Sequence, residues 1–286
     1  MSELSIAAYT VDTAEPAVRP DSARIGKFDV GAFARRFGSP IGLILPVLIL
    51  ALWQTAVSCQ WVEPVFLPAP RKVLDAFWLM LTKQDLVFDF LASISIVGQA
   101  FIYGSAAGIG LGTAAGLSRK FEQFLGTTVD TVRHIPGIAW LPLIVLWLGI
   151  GAPAKILVIA KSVFFPLFLN TLQGIRSVEK NYIELGQVLL LTRRQMVRKV
   201  ILPSAMPSIM VSLRYAAGLA WALVVVAEGL SGLEGLGFLI FRAQGLLLTD
   251  QLLVCMVIIG LVGFVVDRLM YTLQCSILRW QQGFKG

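Results

Sequence analysis

Few side chains in this sequence could do covalent chemistry, and their spacing works against each. His134 is the single histidine, and Ser231 sits in Gly229-Leu-Ser-Gly232, a string that suits a membrane-embedded serine nucleophile. Such a serine needs a base within hydrogen-bond reach. The apolar segments between the two residues put His134 near the inner membrane surface and Ser231 near the outer one, so an intramembrane serine protease is a remote alternative. Cys59, Cys255 and Cys275 have no metal-type spacing and read as apolar filler. No Gly-Lys-Ser or Gly-Lys-Thr closes a phosphate-cradling loop, so ATP, if used, binds on another chain. On this reading the chain has no catalytic residue, no metal ligand and no cofactor of its own.

The remaining chemistry is that of charge in an apolar medium. The 286 residues are 57% hydrophobic and 14% charged, against roughly 25% charged in an ordinary soluble domain. The membrane is the expected solvent, and there a charge costs at least about 2.5–3.5 kcal/mol. Lys161, Asp130, Arg133, Arg214 and Glu228 nonetheless fall inside apolar windows. Lys161, Arg133 and Arg214 could form a weak, stepwise path for an anion. The structural alternative pairs Arg133 with Asp130, bonds Arg214 to helix-end carbonyls and leaves Lys161 snorkelling or paired across a dimer. Trp147 and Trp221 could line a gate or simply pack.

The elements that must position these groups are helices, because a spanning segment has to satisfy its own backbone. Six windows qualify: Ile41–Ser58, Phe90–Leu117, Leu125–Leu148, Pro153–Gln173, Pro207–Leu230 and Gln251–Gln274. With the N-terminus in the cytoplasm, fifteen of the twenty-four basic residues lie inside, while the outer loops hold Arg71, Lys72, Lys83, Lys155 and Arg242. Both termini are therefore expected in the cytoplasm. The net charge of +7 fits anionic lipid rather than nucleic acid, since the basic residues are scattered between apolar spans.

Residues 1–26 read as a disordered cytoplasmic tail without the order of a cleaved signal. Residues 27–40 suit an interfacial helix or a solvated linker, 41–274 form the membrane domain, and 275–286 a cytoplasmic tail. Leu67 to Leu86 reads as a surface helix at the outer face, with Val73, Leu74, Phe77, Trp78 and Leu81 at helical spacing. Gly104, Gly108, Gly112 and Gly116 stack along one face of the second span, where another backbone can approach.

The polar stretch 179–207 is too polar to cross and too long for a tight connection. Ile183, Leu185, Val188, Leu189 and Leu190 give one short helix an apolar side, and Thr192 can N-cap a second, Arg193–Ile201, carrying Arg193, Arg194, Arg198 and Lys199. Pro203 and Pro207 are expected to end it. A hairpin touching only lipid headgroups is the plain alternative.

This stretch resembles the cytoplasmic loop of ATP-binding-cassette importer permeases, whose pattern is Glu-Ala-Ala, three residues, Gly, nine residues, Ile, one residue, Leu-Pro. Glu184, Val200, Leu202 and Pro203 take the matching positions; Gly186 replaces the second Ala and Leu190 replaces the Gly. Leucine resists the positive φ that glycine accepts, so the turn is expected to be built differently or to shift to Thr192. Leu67-Pro-Ala-Pro70, Arg133-His-Ile-Pro136, Trp147-Leu-Gly149, Asn170-Thr171, Gly174-Ile-Arg176 and Ala227-Glu228 are similar to the branch that imports sulfonates, taurine and nitrate, aliphatic sulfonate permeases above all.

The resemblance implies an all-α polytopic fold of the type I ABC importer permease, about six transmembrane helices, in a bacterial inner membrane. It implies a loop that docks on an ATPase through Glu184, Gly186, Leu190, Thr192, Arg193, Arg194, Val200, Leu202 and Pro203. It further implies two ATP-binding subunits carrying ATP and Mg, a second and identical permease, and an extracytoplasmic substrate-binding protein. The cargo would be an aliphatic sulfonate, or else nitrate, taurine or a pyrimidine. A receptor or scaffold without transport is disfavoured by the lack of any soluble sensory segment.

Overall fold

The computed structural model describes residues 40–83, 86–231 and 234–282, and every element there is helical. The expected tail 1–26 and the expected interfacial helix before residue 40 lie outside the described residues, as do residues 283–286. The chain divides into two compact units, residues 1–55 and 56–286. The first helix, α1 (Pro40–Ser58), belongs mostly to the first unit and is apolar over Ile44–Ser58. All that follows concerns the second unit.

That unit contains α2 (Pro70–Lys83), α3 (Leu86–Leu117), α4 (Arg119–Arg133), α5 (Leu141–Leu148), α6 (Ala152–Arg176), α7 (Lys180–Val188), α8 (Arg193–Met196), α9 (Leu202–Ser231), α10 (Leu236–Gly245) and α11 (Thr249–Ile277). Among the described residues four helices are long and apolar enough to cross a bilayer: α3, α6, the run Arg193–Ser231, and α11. The expected third span, Leu125–Leu148, is not one straight helix. Its halves, Arg119–Arg133 and Gly137–Leu148, meet at 91°. Pro136 has no N–H to give and pushes Ile135 out of helical conformation, while Gly137 sits where a Cβ would strike the Ser162 hydroxyl.

The packed centre is α3 against α6, where the glycine ridge does what its spacing predicts. A Cβ on Gly104 would lie 2.5 Å from the Ala160 carbonyl, on Gly108 2.8 Å from that of Phe164, on Gly112 2.7 Å from that of Phe168, and on Gly116 2.9 Å from Ile175. Lipid is as apolar as leucine, so burying Val163, Leu167 and Phe168 here gains dispersion contacts rather than escape from water, and those fall away steeply with distance. The helices hold together because four positions lack side chains.

α2 is the short helix expected within Leu67–Leu86. Ala76 and Met80 are buried, and Leu74 and Trp78 point away, 68% and 65% exposed. Lys155, expected in an outer loop, is fully buried in the first turn of α6.

Pro203 and Pro207 do not end a helix. The chain runs helically from Arg193 to Ser231, with a widened turn at Val197–Ile201 just before them. A wider turn shifts backbone bonding by one residue, which accommodates the missing Pro203 N–H and its ring without a break.

Candidate functional site

At one end of this long helix lies the Glu184–Pro203 segment. α7 ends in a left-handed cap: Leu191 N–H bonds to Gly186 O at 3.0 Å, Leu190 N–H to Gln187 O at 2.9 Å, and Leu190 has φ +52°. This is a Schellman arrangement with Leu190 in the place glycine normally takes. The expectation that the turn would be rebuilt or moved to Thr192 is thus corrected. The two bonds and the contact between Leu191 and the Gly186 position hold leucine in a conformation that costs roughly 1–2 kcal/mol.

Thr192 then caps α8. Its hydroxyl accepts from Gln195 N–H at 3.4 Å, and Gln195 Oε1 accepts from Thr192 N–H at 2.9 Å, a reciprocal box that gives the segment a defined corner. Gly186 is buried beneath Met196, whose methyl carbon would lie 2.5 Å from a Cβ there.

On this frame Leu185, Val188, Leu189 and Leu190 are 56%, 79%, 63% and 88% exposed. Glu184, Arg193, Arg194, Arg198 and Lys199 are exposed as well, while Val200, Leu202 and Pro203 are half-buried. A groove beside this surface is lined by Tyr182, Gly186, Val200, Pro203 and Trp280. The result is an exposed apolar strip flanked by basic side chains on a corner fixed by local bonds, the kind of surface that marks interaction sites.

The other end of α9 is built in the opposite manner. Glu228 is fully buried; one of its carboxylate oxygens accepts from Ser93 Oγ at 2.8 Å and from Gly237 N–H at 2.9 Å. Ser93 Oγ accepts from Leu236 N–H at 2.9 Å, and Asp89 Oδ1 from Gly235 N–H at 2.7 Å. Lys155 Nζ donates to Glu234 O at 3.4 Å. Two acidic groups from different helices thus satisfy the free N–H groups that open α10, and their charge suits its dipole. Gly235, at φ +106°, leaves room for the Glu228 carboxyl where a Cβ would be. The second oxygen, Oε1, has no hydrogen-bond partner among the described residues.

The candidate path residues are scattered. Arg133 pairs with Asp130 at 3.2 Å, one turn away, as its structural reading expects. Lys161 Nζ donates to Ile135 O at 3.2 Å and lies 4.8 Å and 5.2 Å from the ring centres of Trp140 and Phe165. It braces the bend at Pro136, a carbonyl that the broken span leaves without a helical donor. Arg214 does not bond to helix-end carbonyls: its fork meets Asp267 of α11, with Nε to Oδ1 at 2.6 Å and NH2 to Oδ2 at 2.7 Å. Trp221 is buried and donates to Ile259 O at 2.9 Å, so it packs α9 against α11 and lines no gate in this conformation. Trp147 is 65% exposed.

Sequence reasoning passed over Asp267 and Arg268, although both lie inside the Gln251–Gln274 window and a plain count of charges per window would have found them. As for the serine-nucleophile reading, Ser231 Oγ donates to Glu228 O and the His134 ring contacts Asp130 O, each within its own helical turn.

Residues 104–278 match the family described as the binding-protein-dependent transport system inner membrane component. A protein of Bacillus subtilis (strain 168) named an aliphatic sulfonates transport permease is 32% identical over 252 residues, 88% of this chain and 91% of that one. Its namesake in Escherichia coli (strain K12) is 37% identical over 240 residues, covering 84% and 91%. The taurine transport system permease of the same strain is 33% identical over 238 residues, covering 82% and 86%. Among solved structures, the inward-facing MetNI methionine ABC transporter superposes with a TM-score of 0.54 at 19% identity, over 65% of this chain and 95% of that chain, which is a likeness of fold.

Proposed function

The chain belongs to the family of binding-protein-dependent transport inner membrane components, and from that premise we propose that it is the permease subunit through which an ATP-driven importer passes a small anion, an aliphatic sulfonate first. Membership makes it a multi-pass inner-membrane subunit of an ABC importer, working with a separate ATPase and a substrate-binding protein. The finer assembly is our reading: two ATPases, a second and identical permease, and both termini in the cytoplasm. Nitrate, another small anion, taurine, a zwitterion that carries a sulfonate group, and a pyrimidine are the alternatives.

The observation that supports the coupling role is the Glu184–Pro203 corner: Leu185, Val188, Leu189 and Leu190 stand exposed beside Arg193, Arg194 and Arg198 on a turn fixed by the Leu190 cap and the Thr192 box. In this reading the corner seats in a groove of the ATPase. Closure of two nucleotide-loaded ATPases moves two such corners, and the rigid run from Arg193 to Ser231 carries the motion into the membrane.

The test is reconstitution with the ATP-binding subunit and the binding protein. Leu189→Glu, which desolvates a charge in the docked state, should abolish co-purification of the ATPase while leaving the permease folded. Retention of the ATPase would remove the corner from the interface. Comparing ethanesulfonate, taurine, nitrate and uracil as stimulants of ATP hydrolysis identifies the cargo.

A further inference from the structure

We propose that the polar face of α4, joined through the Glu122–Arg176 pair to the inner ends of α6 and α9, is the wall of the aqueous exit along which the transported anion leaves for the cytoplasm. The inference rests on the importer reading above and adds to it a place and a recognition chemistry: neutral hydrogen-bonding groups instead of a row of cations.

Two ties fix where this face lies. Glu122, in the first turn of α4, pairs with Arg176 at the last residue of α6, and Lys161, midway along α6, donates to Ile135 O just beyond the end of α4 at 3.2 Å. The ties are thirteen residues apart on the first segment and fifteen on the second, about 20 Å and about 22 Å as helix. α4 therefore runs antiparallel beside α6, with Phe121, Leu125 and Val129 turned onto Phe168 between the ties. α6 is long and apolar enough to span. With both termini in the cytoplasm α6 runs inward, and α4 then occupies the inner half of the bilayer.

The opposite face of α4 is polar and open. Gln123, Thr127, Asp130, Thr131 and His134 are exposed and line one concavity together with Glu122. At this depth a charged or amide group has to meet water or protein rather than lipid. A dry contact between helices in a membrane uses small side chains, so that the two backbones close up. Here the small Gly126 and Thr127 are interleaved with Gln123, Asp130 and His134, whose longer polar ends hold a neighbouring helix off and suit water.

The polarity continues across the fold. Arg176, the partner of Glu122, lines a second recess with Asn170 and Gln173 of α6, Ser177 at its end and Ser208 of α9. The two recesses meet at that ion pair, which makes one polar track from His134 at mid-depth to Ser177 at the inner end of α6. Its acids are matched in place, Asp130 with Arg133 at 3.2 Å and Glu122 with Arg176. What the track offers a passing anion is the Thr127 hydroxyl and the amides of Gln123 and Gln173, all exposed. Neutral donors of this kind solvate a sulfonate or nitrate oxygen and present no fixed charge to trap it, as permeation requires.

The experiment uses the complex of this chain with its ATP-binding subunit in phosphatidylcholine nanodiscs, with Cys59→Ser, Cys255→Ala and Cys275→Ser as background, and follows labelling of this chain by a membrane-impermeant sulfonated maleimide. Thr127→Cys, Thr131→Cys and Gln173→Cys should react at least ten-fold faster than Leu261→Cys, a position exposed on the apolar α11. Trapping with ATP and vanadate should slow the three at least five-fold, since the exit closes when the ATPases do. In proteoliposomes with binding protein, Thr127→Glu should take up whichever of ethanesulfonate, taurine and nitrate stimulates ATP hydrolysis at least ten-fold more slowly than Thr127→Gln, a dependence on charge that a packing role would not produce. Labelling of all three at the Leu261→Cys rate places the face against lipid and overturns the proposal, as does labelling that ATP and vanadate leave unchanged or equal uptake by Thr127→Glu and Thr127→Gln. A disulfide between two Thr127→Cys chains that replaces labelling assigns the face to a second copy and also overturns it. Stimulated ATP hydrolysis by the unsubstituted system is measured in parallel: its absence with all three anions sinks the importer reading, whereas its presence alongside any overturning outcome sinks only the exit wall.

Discussion

The two ends of the long helical run Arg193–Ser231 solve opposite problems. At the Arg193 end, apolar side chains stand in the open and every polar group needed for shape is satisfied locally, within a few residues, by the Leu190 cap and the Thr192 box. At the Ser231 end, polar groups are buried and satisfied across the fold, by Ser93 and Asp89 from more than a hundred residues away. On the docking role proposed above, the corner must keep its shape before the ATPase arrives, which local bonds achieve. A junction of four helix ends is held by bonds between elements, since no single helix carries both the donors and the acceptors.

That contrast predicts unequal damage. Glu228→Leu should be the most harmful change, leaving the Gly237 N–H and Ser93 hydroxyl buried without their acceptor; a loss of about 2–5 kcal/mol is expected, read as a large fall in Tm in detergent. Gly235→Ala should do comparable harm by a different route, since its φ of +106° is strained for alanine and its methyl would displace the Glu228 carboxyl. A small effect from either would mean that the junction is loosely held. Thr192→Ala should cost about 1 kcal/mol and act on the corner alone, so ATPase affinity should fall with little change in Tm. Leu190→Gly should be the mildest, stabilising the isolated permease by roughly 1 kcal/mol through relief of the positive φ. If Leu190→Gly also weakens ATPase binding, the exposed leucine contributes to docking as well as shape.

How much of this was legible beforehand differs between the ends for the same reason. The Thr192 cap, the apolar strip from Leu185 to Leu190 and the basic run after it are short-range patterns, readable because cause and effect lie within a turn or two. Even there Leu190 misled, because intrinsic preference for negative φ was weighed without the two backbone bonds that override it. The glycine ridge was legible as a face for close approach, but its partner α6 was not. The bend at Pro136 was missed because the apolar window ran straight through it, although the proline stood in plain sight.

Sequence by itself determined that the chain is helical and membrane-spanning, that Thr192 caps the helix after the Leu185–Leu190 strip, and which glycines face a neighbour, because each follows from spacing along one helix. Only the tertiary structure decided that Lys161 braces a bend, that Lys155 is buried, that Glu228 caps α10, and that Arg214 is held by Asp267. Those depend on which helix lies beside which, and a charge at bilayer depth says that it needs a partner without saying where in the chain the partner is.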